Sequence, residues 1–153
     1  MTASTLREKN RPARILHIED NLGDAKLLKL AFTQSAMHCD ITNAKSAEWA
    51  LRILKDETLE LPDLILLDLN LQSMNGTELL EIIKQDPLFK HIPVIILSSS
   101  VADSDVRECY AQHANGYIAK PRSIEGLNIM AKRLEAFWFS LAIIPNLTRE
   151  SEE

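Results

Sequence analysis

Short apolar runs alternate with longer stretches of helical spacing along this chain. The first run, 14–19 (RILHIE), is predicted as a strand. A helix is predicted over 23–37, with Ala25, Leu28, Ala31 and Phe32 on one face and Asp24 as N-cap. A weak strand is expected over 39–44. A helix over 46–56 follows, capped by Ser46, with Trp49, Ile53 and Leu54 inward. Pro62 then stops the chain, and 63–69 (DLILLDL) reads as a strand buried on both faces. Residues 76–85 form the next helix, with Leu79, Leu80, Ile82 and Ile83 inward. Pro87 and Pro93 bracket a loop before an apolar strand over 94–98. A polar helix is expected over 102–113 and a short strand over 116–119, ending at Lys120-Pro121. A long helical pattern over 123–144 is stopped by Pro145.

Strands alternating with helices of this length make a parallel sheet covered on both faces. Five such units predict a flavodoxin-like, doubly wound (βα)5 fold with an extended C-terminal helix or arm. The length of 153 residues and the 46% apolar content suit one domain with a real core. Residues 1–12 are expected as a flexible tail, 13–135 as the domain, and 136–153 as an arm with an acidic end. The net charge of −5 argues against nonspecific binding to nucleic acid or anionic membrane. The longest uncharged, mostly apolar run is 136–148, shorter than the about 20 residues that span a bilayer. The polar N-terminus shows no secretory signal. Cys39 and Cys109 lack metal-ligand spacing and read as reduced thiols of a cytoplasmic protein.

In such sheets the site lies beyond the carboxyl ends of the strands. There the sequence places Glu19-Asp20, Asp68 followed by Leu69-Asn70, Ser98-Ser99-Ser100, and Lys120-Pro121. Any one of these could be a helix cap or a solvated turn, but together they have a coherent chemistry. Three crowded carboxylates need a cation to stay ionised. A hard, oxygen-ligated ion such as Mg²⁺ suits them. Carboxylates, metal and lysine would then make a pocket for a phosphoryl group. The central carboxylate could form an aspartyl phosphate, with lysine as a point charge on its oxygens.

Together, Glu19-Asp20, Asp68 of LILLDLNL, Ser98 of VIILSSS and Lys120 of GYIAKP resemble the receiver domain of two-component response regulators, over roughly residues 13–133. The resemblance implies that Asp68 is the phosphoacceptor. Glu19, Asp20, Asp68 and the backbone carbonyl of Asn70 would organise Mg²⁺. Ser98 would be the switch hydroxyl, Tyr117 the aromatic that follows it, and Lys120 the phosphate ligand, with a cis Lys120–Pro121 bond. Such a protein is no enzyme beyond accepting phosphate from small donors and losing it again. Gln72, Asn75 and Arg122 depart from the family's common pattern, and none is the phosphoacceptor. IEDNLGDAKLLKLAF, LILLDLNL and LEAFWFSLAIIPN more narrowly resemble single-domain regulators paired with bacterial and cyanobacterial phytochromes. A phytochrome-type sensor histidine kinase is the partner so implied, with no DNA-binding domain and no membrane partner.

The rival readings are weaker. A haloacid-type aspartate phosphatase wants a second Asp where Asn70 stands. A flavodoxin wants a phosphate loop where EDNLGD is acidic. A degenerate receiver that only binds partners would not need Asp68, Ser98 and Lys120. His17 is expected as a buried, satisfied histidine. His38, His91 and His113 are expected at the surface.

The end of the chain carries a second expectation. Leu127, Ala131, Leu134, Trp138 and Leu141 make one seam, leaving Phe137, Phe139, Ile143 and Ile144 off it. These could fold back on their own domain. The expected alternative is a homodimer in which the arm, through Phe137, Trp138, Phe139, Leu141, Ile143 and Ile144, reaches across a two-fold axis.

Overall fold

In a computed structural model, which describes residues 4–34 and 37–149, the chain forms a five-stranded parallel sheet in the order β2-β1-β3-β4-β5. The strands are β1 (Arg14–Ile18), β2 (Asp40–Ala44), β3 (Leu64–Asp68), β4 (Val94–Ser98) and β5 (Gly116–Ala119). The helices are α1 (Leu22–Thr33), α2 (Ala47–Lys55), α3 (Gly76–Gln85), α4 (Asp103–Ala111) and α5 (Ile124–Leu134). This is the flavodoxin-like arrangement that the alternation predicts.

Side chains alternate across the sheet. Leu16, Ile18, Ile65, Leu67 and Ile96 face a layer containing Ala50 and Leu54 of α2, Leu79, Leu80 and Ile83 of α3, and Cys109 of α4. Ile15, Leu64, Leu66, Ile95 and Leu97 face the opposite layer, with Leu28 and Phe32 of α1 and Met130 and Leu134 of α5. The central strand is therefore apolar at four successive positions and polar only at its end, Asp68.

Several local expectations are corrected. Asn21, not Asp24, caps α1: its side-chain oxygen accepts from the Asp24 amide at 2.9 Å. That frees the Asp24 carboxylate for another partner. Trp49 is exposed, because Ala47, Ala50 and Leu54 define the buried stripe of α2, and its ring lies under the Arg52 guanidinium at 5.6 Å. Ile82 is also exposed, one position off the buried stripe of α3. His17 is buried, but neither ring nitrogen has a hydrogen-bond partner. No peptide bond is cis among the described residues, so Lys120–Pro121 is trans.

The two chain ends are also more structured than a pair of tails. Leu6 is buried beside Phe32 in the α1/α5 layer, and Arg11 pairs with both oxygens of Asp63 at 2.8 and 2.9 Å. Residues 1–3, 35–36 and 150–153, which carry parts of the expected tails and of the first expected helix, lie outside the described residues.

The long terminal helix does not continue to residue 144. After Leu134 the chain makes a π turn, Glu135–Phe139, and then leaves the helix, with the Ala142 amide donating to Phe137 O at 2.7 Å. A π turn takes extra residues per revolution, so it rotates the side chains that follow. Phe139 and Ile144 thereby enter the α1/α5 layer of their own domain, correcting the expectation that they lack a home there. Trp138 packs on the same layer, half-buried. Phe137, Leu141 and Ile143 stay exposed at 51%, 72% and 63%. The segment then crosses beneath the sheet. Leu147 packs on the opposite layer, and Arg149 donates to Leu54 O in the last turn of α2 and to Leu59 O in the loop that follows, each at 2.7 Å.

Lys84 ties α3 to the loops at the start of β4. Its ammonium donates to Lys90 O, Ile92 O and Asn115 Oδ1 at 3.2, 2.9 and 2.9 Å. Burial pushes its pKa down to about 8. The unfolded chain therefore binds more protons between about pH 8 and the ordinary lysine value, and stability attributable to Lys84 rises with pH across that window. Urea unfolding of wild type and Lys84→Met should show wild type gaining on the variant from pH 8 to pH 10. A constant difference would contradict the shift.

Candidate functional site

The carboxyl ends of β1, β3, β4 and β5 converge on one edge of the sheet. Beyond β1, the Glu19 amide donates to Ala44 O at 3.0 Å, which carries the ladder one residue further. The Asn43 side-chain amide donates to His17 O and Glu19 O, each at 3.1 Å, and fixes that end from β2. Glu19 is thus held inward and is only 1% exposed, while Asp20 stands partly exposed beside it. Asp68, buried at the end of β3, accepts from the Asn70 amide at 2.8 Å.

Lys120 closes the cluster. Its backbone amide donates to Ser98 O at 2.8 Å, tying the end of β5 to β4. Its ammonium donates to Glu19 Oε1 at 2.6 Å, Asp68 Oδ2 at 2.9 Å and Asp24 Oδ2 at 3.0 Å. Burial works against that charge, but the hydrogen bonds to Glu19, Asp68 and Asp24 outweigh it and raise the lysine pKa. Burial pushes Glu19 up to about 7; the Lys120 hydrogen bond opposes this rise and the charge of Asp68 adds to it. One ammonium therefore answers three carboxylates, with Asp20 a fourth at the rim.

Asp24 was not legible as a member of this cluster. Its place one turn into α1 resembles a cap, and only the Asn21 cap reveals that its side chain is free to turn toward β5.

Ser98 is fully buried, and its Oγ accepts from the Ser100 amide at 3.1 Å. With Asn70, Thr77 and Ser100 it lines a cleft of about 410 Å³ between the loops after β3 and β4. Tyr117 is half-buried on β5, its hydroxyl donating to Ser100 O at 2.8 Å. Ser98 and Tyr117 are therefore linked through one loop residue.

The loop after β3 is drawn tight by Gly76, whose amide donates to Leu69 O at 3.1 Å. A Cβ at this position would lie 2.6 Å from Leu69 Cα and 2.7 Å from Asp68 O. Both are backbone atoms that cannot swing aside. Gly76→Ala should cost about 1–3 kcal/mol, the usual range for overpacking, measured as a lower urea midpoint. An unchanged midpoint would show that the loop can retreat.

The sequence pattern described as response regulator receiver domain matches residues 15–132, most of the chain and all five strands but the first residue of β1. The chain belongs to this family. The receiver is 34% identical over 142 residues to Response regulator Rcp1 of Synechocystis sp., covering 90% of this chain and 97% of that one. It superposes on the phosphorylated cyanobacterial phytochrome response regulator RcpA with a TM-score of 0.83 at 35% identity, covering 88% and 99% of the two chains. The Mn²⁺-bound form of Rcp1 gives 0.80 at 34%, with the same coverage.

In this receiver the structure brings Glu19, Asp68 and Lys120 into direct contact, with Asp20, Asn70 and Ser98 on the same edge. Phe137, Trp138, Phe139, Leu141, Ile143 and Ile144 belong to a separate region, beyond the far end of α5.

Proposed function

We propose that this receiver takes a phosphoryl group on Asp68 from the phosphohistidine of a sensor histidine kinase. The observation that carries the reading is a buried carboxylate at the end of the central strand, hydrogen-bonded to Lys120 beside a second buried carboxylate, Glu19. A carboxylate oxygen of Asp68 forms the new bond to phosphorus, the phosphorus–nitrogen bond breaks, and the departing imidazole takes a proton. Lys120, already within hydrogen-bond reach of Asp68, holds its charge ready for the phosphoryl oxygens. Ser98 lines the adjoining cleft and turns its hydroxyl to the new anion. The Ser100 carbonyl that holds Tyr117 then shifts with its loop, so the signal leaves through β5 and α4.

The donor set suits a divalent cation. Hard oxygen ligands outnumber the positive charge here, and Glu19 resists ionisation in their company. Among the described residues no three acidic, His or Cys side chains already converge as metal ligands, and Lys120 stands among the carboxylates instead. Glu19, Asp20, Asp68 and the Asn70 carbonyl would hold Mg²⁺, whose charge would relieve that crowding and favour an incoming phosphoryl group.

Acetyl phosphate should add one phosphoryl group to the intact protein in Mg²⁺ buffer and none after chelation. Labelling that ignores chelation would overturn the metal's part. A phytochrome-type kinase as donor rests on the likeness to RcpA, a phytochrome response regulator by name. Profiling phosphotransfer against the histidine kinases of the source organism should show fastest transfer from the phytochrome, and a faster unrelated kinase would replace it.

The receiver works by changing shape and contacts rather than by turning over a substrate. Its acidity suits protein partners and not DNA. No helix among the described residues is long and apolar enough to cross a membrane, and a cytoplasmic place beside a soluble kinase domain fits that. Phe137, Leu141 and Ile143 give the homodimer its remaining apolar contact, with Trp138 edge-on to Phe137 at a ring separation of 5.1 Å.

A further inference from the structure

Ser100, in the loop between β4 and α4, is a junction of hydrogen bonds. Its amide donates to Ser98 Oγ at 3.1 Å, and its carbonyl accepts from the Tyr117 hydroxyl at 2.8 Å. Its own hydroxyl donates to Asp105 Oδ2 at 2.5 Å and accepts from the Ala102 amide at 3.3 Å. The backbone bonds thus reach β4 and β5, and the side-chain bonds reach the start of α4. The bond to Asp105 is the strong one, because a hydroxyl donating to a carboxylate is charge-assisted.

Little else holds α4 in place. Of its side chains only Cys109 is buried, and its N-cap, Ala102, makes no side-chain bond. By contrast, α3 sets Leu79, Leu80 and Ile83 into the same layer. An element with so few buried apolar contacts moves at small cost. The polar bonds at its first turn therefore weigh heavily on where it rests.

The Asp105 bond also opposes motion of the loop. If Ser98 changes rotamer, its Oγ leaves the Ser100 amide, and Ser100 must follow or keep an unpaired donor. Following draws the Ser100 hydroxyl away from Asp105, unless α4 moves as well. Asp105 lines the same cleft as Ser98, so a phosphoryl group at the end of β3 brings like charge toward it. Both effects act against the one bond.

We propose that Asp105 is a positioning residue: through Ser100 it latches the loop after β4 and the start of α4 in the resting arrangement, and it thereby restrains the response to phosphorylation. The inference rests on Asp68 as the phosphoacceptor. A contact made only in the resting arrangement lowers affinity for any ligand that favours the other one.

Beryllofluoride with Mg²⁺ is the probe, a phosphoryl mimic that settles reversibly on a carboxylate. Ser100→Ala removes the latching hydroxyl, keeps both backbone bonds and changes no charge. It should bind the probe at least about fivefold more tightly than wild type, the lower end of ordinary coupling between sites. Without the probe, its amide signals over 101–111 should lie partway along the shift that the probe induces in wild type. Asp105→Ala should bind at least as tightly as Ser100→Ala, since it also removes charge from the cleft. The double variant should fall short of the product of the two single effects.

The latch is overturned if Ser100→Ala, folded by its spectrum, binds the probe no more tightly than wild type, even where Asp105→Ala binds more tightly. That pattern would leave only the charge of Asp105 at work. A wild type that takes neither beryllofluoride nor a phosphoryl group would remove Asp68 as phosphoacceptor and the latch with it.

Discussion

Asp68→Asn should receive no phosphoryl group from acetyl phosphate under conditions that fully label wild type. The amide keeps the shape of the site. Its one oxygen can still accept one of the two bonds that the carboxylate accepts on separate oxygens, from Lys120 on Oδ2 at 2.9 Å and from the Asn70 amide on Oδ1 at 2.8 Å. What it loses is the nucleophile, so the loss should be complete rather than partial. A second effect should accompany it. Asp68 helps to drive the Glu19 pKa upward, and without that charge Glu19 should ionise more readily beside Lys120. The metal-free variant should therefore melt no lower than wild type, and Mg²⁺ should raise its melting temperature less. Intact-mass spectra and thermal scans with and without Mg²⁺ check both halves. A variant labelled as well as wild type would move the phosphoacceptor elsewhere.

Phe139→Ala should be the most destabilising change in the C-terminal segment. Phe139 is fully buried in the α1/α5 layer. Truncating a buried phenylalanine costs about 3–5 kcal/mol, because a cavity is left as well as apolar surface lost. For a chain of this size that is roughly 10 °C or more in melting temperature. Phe137→Ala, two residues away on the exposed side, should change the monomer's stability by less than about 0.5 kcal/mol. Phe137→Ala combined with Leu141→Ala should instead weaken self-association in light scattering. Equal destabilisation by Phe139→Ala and Phe137→Ala would mean that the π turn does not sort the two rings as the structure has it.

Those two residues also show where sequence reasoning reaches its limit. Helical spacing put Trp138 and Leu141 on one seam and Phe139 off it. The π turn at Glu135–Phe139 changes that phase, and no glycine or proline marks it. Trp49 and Ile82 were misplaced for a related reason. Periodicity defines a stripe on a helix but does not say which edge of the stripe meets the sheet, and small residues such as Ala47 and Ala50 take the closest positions in α2.

The strands were plainer. Leu64–Asp68 and Val94–Ser98 are buried at every position, which unbroken apolar runs announce. The cluster of Glu19, Asp68 and Lys120 could be read because parallel strands deliver their ends to one edge, so a charged residue at each end suffices to bring them together. The pull of Asp24 on Lys120, the absence of room at Gly76 and the unpaired ring of His17 depend on distances between elements. No spacing along the chain records these.

The crossing segment beneath the sheet bears on how this chain folds as it is made. Arg149 meets the carbonyl of Leu54 across 95 residues of sequence, and Lys9 meets Asn146 across 137. Contacts of such separation raise the contact order and form late, because the loop they close must first be brought together. On the ribosome, where synthesis is vectorial, the sheet and both helical layers through Leu134 can emerge before Phe139, Ile144 and Leu147 are available. The nascent domain would then expose the places those side chains later occupy, and folding would finish when the last turn of chain closes under the strands.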